Sequence, residues 1–422
     1  MKLVIVGGGS SYTPELVEGL IQRHAIFPVR ELVLTDINPQ RLEIAAGLSQ
    51  RMLNRAGVPV RVWATTDRRR ALEGADFVNC LIRVGGMDAR IQDEKIPLKY
   101  NVIGQETTGP GGMMKALRTI PVMLELARDM VSICPDAWLI NYTNPSGIIA
   151  EALGVYGGGV RFVGLCSLPA EVIRHVTEAL GADPSRVTAD WMGLNHLGFL
   201  VRLTVDGQDR LPEIIEMAAQ RAEENGHGIA GDWLRTLGML PASYLRYYYH
   251  HTAVVREAQK PGHRTRGEIV KEMEAELWRE YSDPTLDVKP ALLSKRGGGG
   301  YADVAFAAML AILGNTGERQ VTQVLNQGAI TGLPDDASVE VPCRVDAQGA
   351  HPIPMGELPL AIRGLVQAVK SYETLTVRAA VEGSRRLALQ ALMAHPLVPS
   401  YDEAAPMLEE LLTANKRWIP WA

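Results

Sequence analysis

Short apolar runs alternate with amphipathic stretches through the first third of the chain. The runs Lys2–Val6, Glu31–Leu34, Val60–Ala64, Asp76–Arg83, Ala137–Asn141 and Arg161–Gly164 read as strands. Between them, Thr13–Gln22, Pro39–Ala56, Met114–Val131 and Pro145–Val155 carry apolar residues at three- and four-residue spacing, which predicts helices. Pro39 falls in a first turn, where its missing N–H costs no hydrogen bond. A strand that returns through a helix pairs in parallel, so this part predicts a Rossmann-like, doubly wound α/β sheet.

After Gly193 the pattern changes. Val187–Met192 and Phe199–Val205 read as strands, and a helix-rich remainder ends in helical patterns at Leu358–Glu373, Val377–His395 and Asp402–Lys416. The expected division is residues 1–193, Rossmann-like, and 194–422, an α+β, helix-rich second domain. No Pro/Ser-rich linker separates them, so the halves should share a large interface with a site between them. Gly297–Gly300 is a low-complexity run that suits a loop or a close backbone approach to a ligand.

Composition narrows the class. At 422 residues, 22% charged and 46% hydrophobic, the chain is long enough for two packed domains and too balanced for disorder. Lys plus Arg total 43 against 48 Asp plus Glu, and no basic run tracks a phosphate backbone, so nucleic acid is not an expected partner. No apolar stretch approaches the ~20 residues of a membrane helix, and the N-terminus opens on a strand instead of a signal peptide. Cys80, Cys134, Cys166 and Cys343 are too sparse for a disulfide framework, so a reducing cytoplasm is expected.

The first strand runs into Gly7-Gly8-Gly9-Ser10-Ser11, a glycine turn before a helix, where free N–H groups can hold a pyrophosphate. Gly7, Gly9 and Ser10 are the expected cofactor contacts; Tyr12 replaces the usual third glycine. Asp36 ends the second strand, where an acid accepts from ribose hydroxyls and repels a 2′-phosphate, favouring NAD over NADP. Its plain alternative is a helix N-cap before Asn38-Pro39. Cys166 follows a predicted strand at its ligand-facing end, and His196 lies in Gly193-Leu194-Asn195-His196 at the domain junction. Together they could bind a transition metal, or each could be an ordinary core residue.

The run Pro135-Asp136-Ala137-Trp138-Leu139-Ile140-Asn141-Tyr142-Thr143-Asn144-Pro145-Ser146-Gly147, followed by Gly164-Leu165-Cys166, resembles the signature of glycoside hydrolase family 4. Val84-Gly85-Gly86-Met87 with Arg90, Gly104-Gln105-Glu106-Thr107-Thr108-Gly109, Gly193-Leu194-Asn195-His196, Tyr244-Leu245-Arg246-Tyr247-Tyr248 and Lys295-Arg296-Gly297-Gly298 resemble its 6-phospho-β-glucosidase branch in order and spacing. The resemblance covers nearly the whole chain. It implies a fold like that of lactate and malate dehydrogenases, NAD, a divalent metal such as Mn²⁺, and a mechanism unlike the two-carboxylate one. Cys166 and His196 match the metal ligands and Tyr244 the base that removes the sugar's C2 proton. Arg90, Asn144 and Arg264 match substrate contacts, Asn144 also lying at the cofactor, with arginines suited to a C6 phosphate. Arg266 could replace Arg264 in that role, and Arg83 is a further candidate.

The implied reaction oxidises C3 temporarily, acidifies the C2 proton, eliminates the aglycone, adds water and reduces C3 again, with no net redox change. The expected substrate is a small 6-phosphorylated β-glucoside, and a homodimer or homotetramer is expected. Ser167, where the phospho-β branch carries asparagine, departs from the pattern and leaves a non-phosphorylated or α-linked glycoside open. A dehydrogenase with His196 as acid/base and a non-catalytic NAD-binding sensor are the competing readings.

Overall fold

A computed structural model describes residues 1–225, 230–297 and 299–422; Gly298, part of one motif above, lies outside them. Strands β1 (Lys2–Val6), β2 (Glu31–Thr35), β3 (Arg61–Thr65), β4 (Phe77–Cys80), β5 (Trp138–Asn141) and β6 (Phe162–Gly164) are parallel, in the spatial order β3-β2-β1-β4-β5-β6. That order reverses between β1 and β4, which opens a crevice at their carboxyl ends. Apolar runs such as Leu3–Val6 and Leu32–Leu34 are buried because helices cover both sheet faces.

Strands β7 (Val187–Leu194) and β8 (Leu197–Val205) form a hairpin, joined in a second sheet by β9 (Gln208–Asp209) and β10 (Leu240–Pro241). Later in the chain come β11 (Glu318–Leu325), β12 (Ile330–Thr331), β13 (Ser338–Asp346), β14 (Gly349–Pro352) and β15 (Gly356–Glu357). β11, β13 and β14 extend the main sheet beyond β6 to nine strands, in antiparallel pairing. The expected helix-rich remainder therefore also completes the first sheet. The 193/194 division falls within the last residues of β7, and the main sheet draws strands from both sides of it.

Helix ends follow local chemistry. The helix Pro39–Arg55 is capped by Asn38, whose side chain accepts from Arg41 N at 3.0 Å, so the cap is Asn38 and not Asp36. The two patterns predicted at 358–373 and 377–395 are instead Leu360–Glu382 and Arg385–Ala394. The break comes at Gly383, whose φ of +67° ends the first helix, and Ser384 caps the second.

The helix Gly109–Ile133 crosses the core and carries a buried charge. Arg118 donates to Asp93 through two nitrogens, at 3.0 and 2.6 Å, and also reaches Asn415 on the helix Tyr401–Asn415. The pair ties three helices together where water cannot solvate either ion. Asp93→Ala is expected to cost about 3–5 kcal/mol in urea unfolding, since it strands a buried guanidinium; a loss below about 1 kcal/mol would mean that water or Asn415 replaces the carboxylate.

Candidate active site

The glycine turn is built around Asp36. One carboxylate oxygen accepts from Gly9 N at 3.0 Å and the other from Asn38 N at 2.9 Å, so the acid braces the turn from β2. A Cβ on Gly9 would lie 2.9 Å from the Asp36 carboxyl carbon, so this approach requires glycine. No side chain caps the helix Thr13–Arg23, and the positive end of its dipole faces the turn. Tyr12 turns toward the later half of the chain: Arg296 lies 4.2 Å over its ring and its hydroxyl donates to Gly297 O.

Beside this turn opens a cavity of about 1540 Å³, lined among others by Tyr12, Arg83, Arg90, Asn144, His196, Tyr244, Arg264, Arg266 and Arg296. Arg90, Asn144, His196, Tyr244 and Arg264, predicted from separate motifs, thus line one cavity, and Cys166, not itself a lining residue, adjoins it through His196. Gly7, Gly9 and Ser10 form the adjoining turn, braced by Asp36, and Tyr12 connects it to that cavity.

His196 sits in the β7–β8 turn with φ +62°, a left-handed conformation that a non-glycine residue adopts at a cost. Its tautomer follows from its neighbours. The Thr107 backbone N–H donates to Gln105 Oε1, which fixes that atom as acceptor, and the Thr107 hydroxyl donates to it at 2.8 Å. Thr107 Oγ1 is then left to accept from His196 Nδ1 at 2.8 Å, so His196 Nε2 carries a lone pair. That nitrogen faces Cys166 Sγ at 3.7 Å. Bonds of about 2.3 Å to a thiolate and about 2.1 Å to an imidazole place the two donors about 3.6 Å apart at a tetrahedral angle, so the pair fits a divalent metal. Among the described residues no group of three His, Cys, Asp or Glu side chains could hold a metal, so two protein donors leave further positions open for ligand oxygens.

Burial holds the His196 imidazole down to about 4, with Glu106 opposing, so it is neutral near pH 7. Burial also pushes the Cys166 thiol up, and Glu340 adds to this, while Leu168 N and the Asn195 side chain favour the thiolate. Tyr244 stacks on His196 with ring centroids 4.0 Å apart and planes 8° from parallel. Burial, with Cys166 and Glu106 nearby, pushes its phenol up.

Glu106 organises the cationic wall. It pairs with Arg83, with Lys115 at 2.7 Å and with Arg90 at 2.9 Å. Burial alone would push its carboxyl up, but Arg83, Lys115 and Arg90 hold it well below the usual range. Lys115 is pushed down to about 7 by burial and by Arg83, with Glu106 opposing. Arg90 also donates to Glu94 at 2.7 Å, and Glu94 accepts from Gly267 N at 2.7 Å, which docks the helix Arg266–Tyr281 onto the same wall. Arg264 lies at the exposed rim, paired with Glu272 at 2.5 Å. Glu106, Lys115, Gln105 and Thr107 received no role from the sequence, although Gln105, Glu106 and Thr107 fall within a motif quoted there. Ser167, which departs from the pattern, is buried at the start of the helix Ser167–Ala179.

Residues 2–182 match the model of family 4 glycosyl hydrolases, and residues 191–398 match that of the family 4 glycosyl hydrolase C-terminal domain. A probable 6-phospho-beta-glucosidase of Bacillus subtilis is 44% identical, the match covering 100% of this chain and 97% of the relative. The solved 6-phospho-beta glucosidase of Thermotoga maritima with manganese, NAD⁺ and glucose-6-phosphate is 33% identical with a TM-score of 0.92, over 99% of each chain. Malate dehydrogenase from Salinibacter ruber shares the fold: TM-score 0.54 at 18% identity, over 92% of this chain and 98% of that one.

Because His196 is already neutral and the Cys166 thiol is not yet ionised, metal binding should release one proton. Apparent affinity for a divalent metal is expected to rise by about one log unit per pH unit between about pH 7 and 8, read by indicator competition. A flat profile would exclude the thiol as a ligand.

Proposed function

The chain belongs to glycosyl hydrolase family 4, and from that premise we propose how its cavity carries out hydrolysis of 6-phospho-β-glucosides. The observation that carries this reading is the pairing of a bare imidazole nitrogen with a thiol 3.7 Å away, the imidazole lying against a stacked tyrosine and both rings lining a cavity rich in arginine. When bound, NAD supplies temporary oxidation at the sugar's C3 and manganese supplies Lewis acidity at its C2 and C3 oxygens. Cys166 and His196 hold the metal. Gly7, Gly9 and Ser10 receive the dinucleotide, with Asp36 bracing the turn and facing the ribose.

Tyr244 Oη takes the C2 proton. Its ring lies flat on the His196 imidazole, which would keep the phenol beside a sugar held at the metal site. Burial keeps the phenol protonated until positive charge enters the site, which confines its basicity to the assembled complex. Arg90 and Asn144 contact the sugar from the cavity wall, and Arg264 reaches the C6 phosphate from the rim. The cavity lining sets Arg83, Arg90, Arg246, Arg264, Arg266 and Arg296 against Glu94, Glu106, Glu223, Asp232 and Glu257, a slight excess of positive charge for an anionic substrate. Ser167 adds no carboxyl to protonate a leaving group, in keeping with a β-linked aglycone that departs by elimination.

We propose further that the enzyme is cytoplasmic and forms a homodimer or homotetramer. Cys80, Cys134, Cys166 and Cys343 are free thiols, as a reducing compartment allows. Among the described residues no helix is long and apolar enough to cross a membrane. Exposed Leu360 and Met393, on the helices Leu360–Glu382 and Arg385–Ala394, are available for a subunit contact.

The test is release of p-nitrophenol from the β-glucoside and from its 6-phosphate, each with and without NAD⁺ and Mn²⁺ under reducing conditions. Cleavage of the phosphorylated substrate alone, requiring both additions and accumulating no NADH, is expected. Preference for the unphosphorylated glycoside would overturn the phosphate assignment, and net NADH would point to a dehydrogenase. In the same assay Tyr244→Phe should lower kcat by about 10²–10⁴-fold, and Cys166→Ser should abolish manganese activation while leaving NAD⁺ affinity unchanged.

A further inference from the structure

Glu340 is a carboxylate with 1% exposure, on β13, and among the described residues no cation pairs with it. Its contacts are three neutral N–H donors: Trp191 Nε1, Asn195 Nδ2 and Gln323 Nε2, each at 2.9 Å. The sheet register places it beneath the site, because Gly164 of β6 lies opposite Gln323 of β11, and Gln323 opposite Glu340. Two residues after Gly164 comes Cys166, and Trp191 and Asn195 belong to β7 and its turn, immediately before His196.

A buried anion is costly unless something compensates it, and three amide-type bonds do so only in part. Its two oxygens instead hold Trp191 and Asn195, which belong to the strand and turn that carry His196. The hydrogen bonding is equally directional. A carboxylate has no proton to give, so it must face the nitrogen of the Asn195 amide, and that nitrogen has a second N–H.

We propose that Glu340 is a positioning residue for the metal centre, locking the Asn195 amide and the Trp191 indole through its two carboxylate oxygens and so steadying the turn that carries His196. The role extends the reading of Cys166 and His196 as metal ligands and rests on it. Glutamine at 340 would bring a donor against these donors and free the Asn195 amide to turn over.

The experiment is a cobalt(II) titration of the reduced full-length protein, followed through the near-ultraviolet thiolate-to-cobalt charge-transfer band. Glu340→Gln and Asn195→Ala should each need about 10–100-fold more cobalt for half-saturation, with NAD⁺ affinity unchanged. Asn195 is only half-buried, so its variant carries the test alone if Glu340→Gln does not fold. Wild-type titration curves in the variants would overturn the positioning role. Equal losses of cobalt and NAD⁺ affinity would also overturn it, by marking a general folding defect. Absence of the band in the wild type would instead overturn the metal reading itself, and the proposal with it.

Discussion

Cys166 and His196 are two neutral donors brought within 3.7 Å from separate segments of the chain, and the geometry around them serves to keep them there. Each arrives on a fixed element. Cys166 is at the carboxyl end of a parallel strand and the start of a helix; His196 is in a tight hairpin turn at a left-handed φ. Neither end can shift without moving a strand. The Thr107–Gln105 chain then sets the imidazole tautomer, so that the free lone pair and not an N–H faces the sulfur.

Around this pair the charges are sorted by depth. Glu340 lies beneath the pair, Glu106 gathers Arg83, Arg90 and Lys115 on the cavity wall, and Arg264 waits at the rim. On the proposed function, this gives a negative floor for a cation and a positive wall for an anionic sugar. A protein that only bound a nucleotide would have no need to bury so many ions beyond the nucleotide turn, since each costs desolvation. The expenditure makes sense in a site that must hold a metal, a dinucleotide and a sugar phosphate in contact.

The parallel half of the sheet was legible because strands buried on both faces show as unbroken apolar runs, as in Leu3-Val4-Ile5-Val6. The antiparallel half was not. Glu318–Leu325 and Ser338–Asp346 bury Thr322, Gln323 and Glu340, and Pro342 interrupts the second, so neither alternates as a half-exposed strand should. The Cys166–His196 pair could not be found by spacing, because its members lie 30 residues apart; motif resemblance supplied them, and the geometry brings them together. The Glu106 cluster escaped for a different reason. Its members, at 83, 90, 106 and 115, look like surface charges one by one and become a buried network only when the helices Gly86–Lys95 and Gly109–Ile133 pack. Nor did sequence reveal that Asp36 braces Gly9, or that Tyr12, in the place of a glycine, reaches across to Arg296.

Temporary oxidation at C3 is the step that requires a dinucleotide, a metal and a tyrosine in one cavity. It leaves a mark on the product, because the C2 proton must leave the sugar before the aglycone can. Hydrolysis of a 6-phospho-β-glucoside in D₂O, with NAD⁺ and Mn²⁺ present, should yield glucose 6-phosphate carrying deuterium at C2, seen as loss of the H2 signal in the proton spectrum. Product retaining its full complement of hydrogen at C2 would contradict this account, since it would show that the glycosidic bond breaks without passing through the ketone.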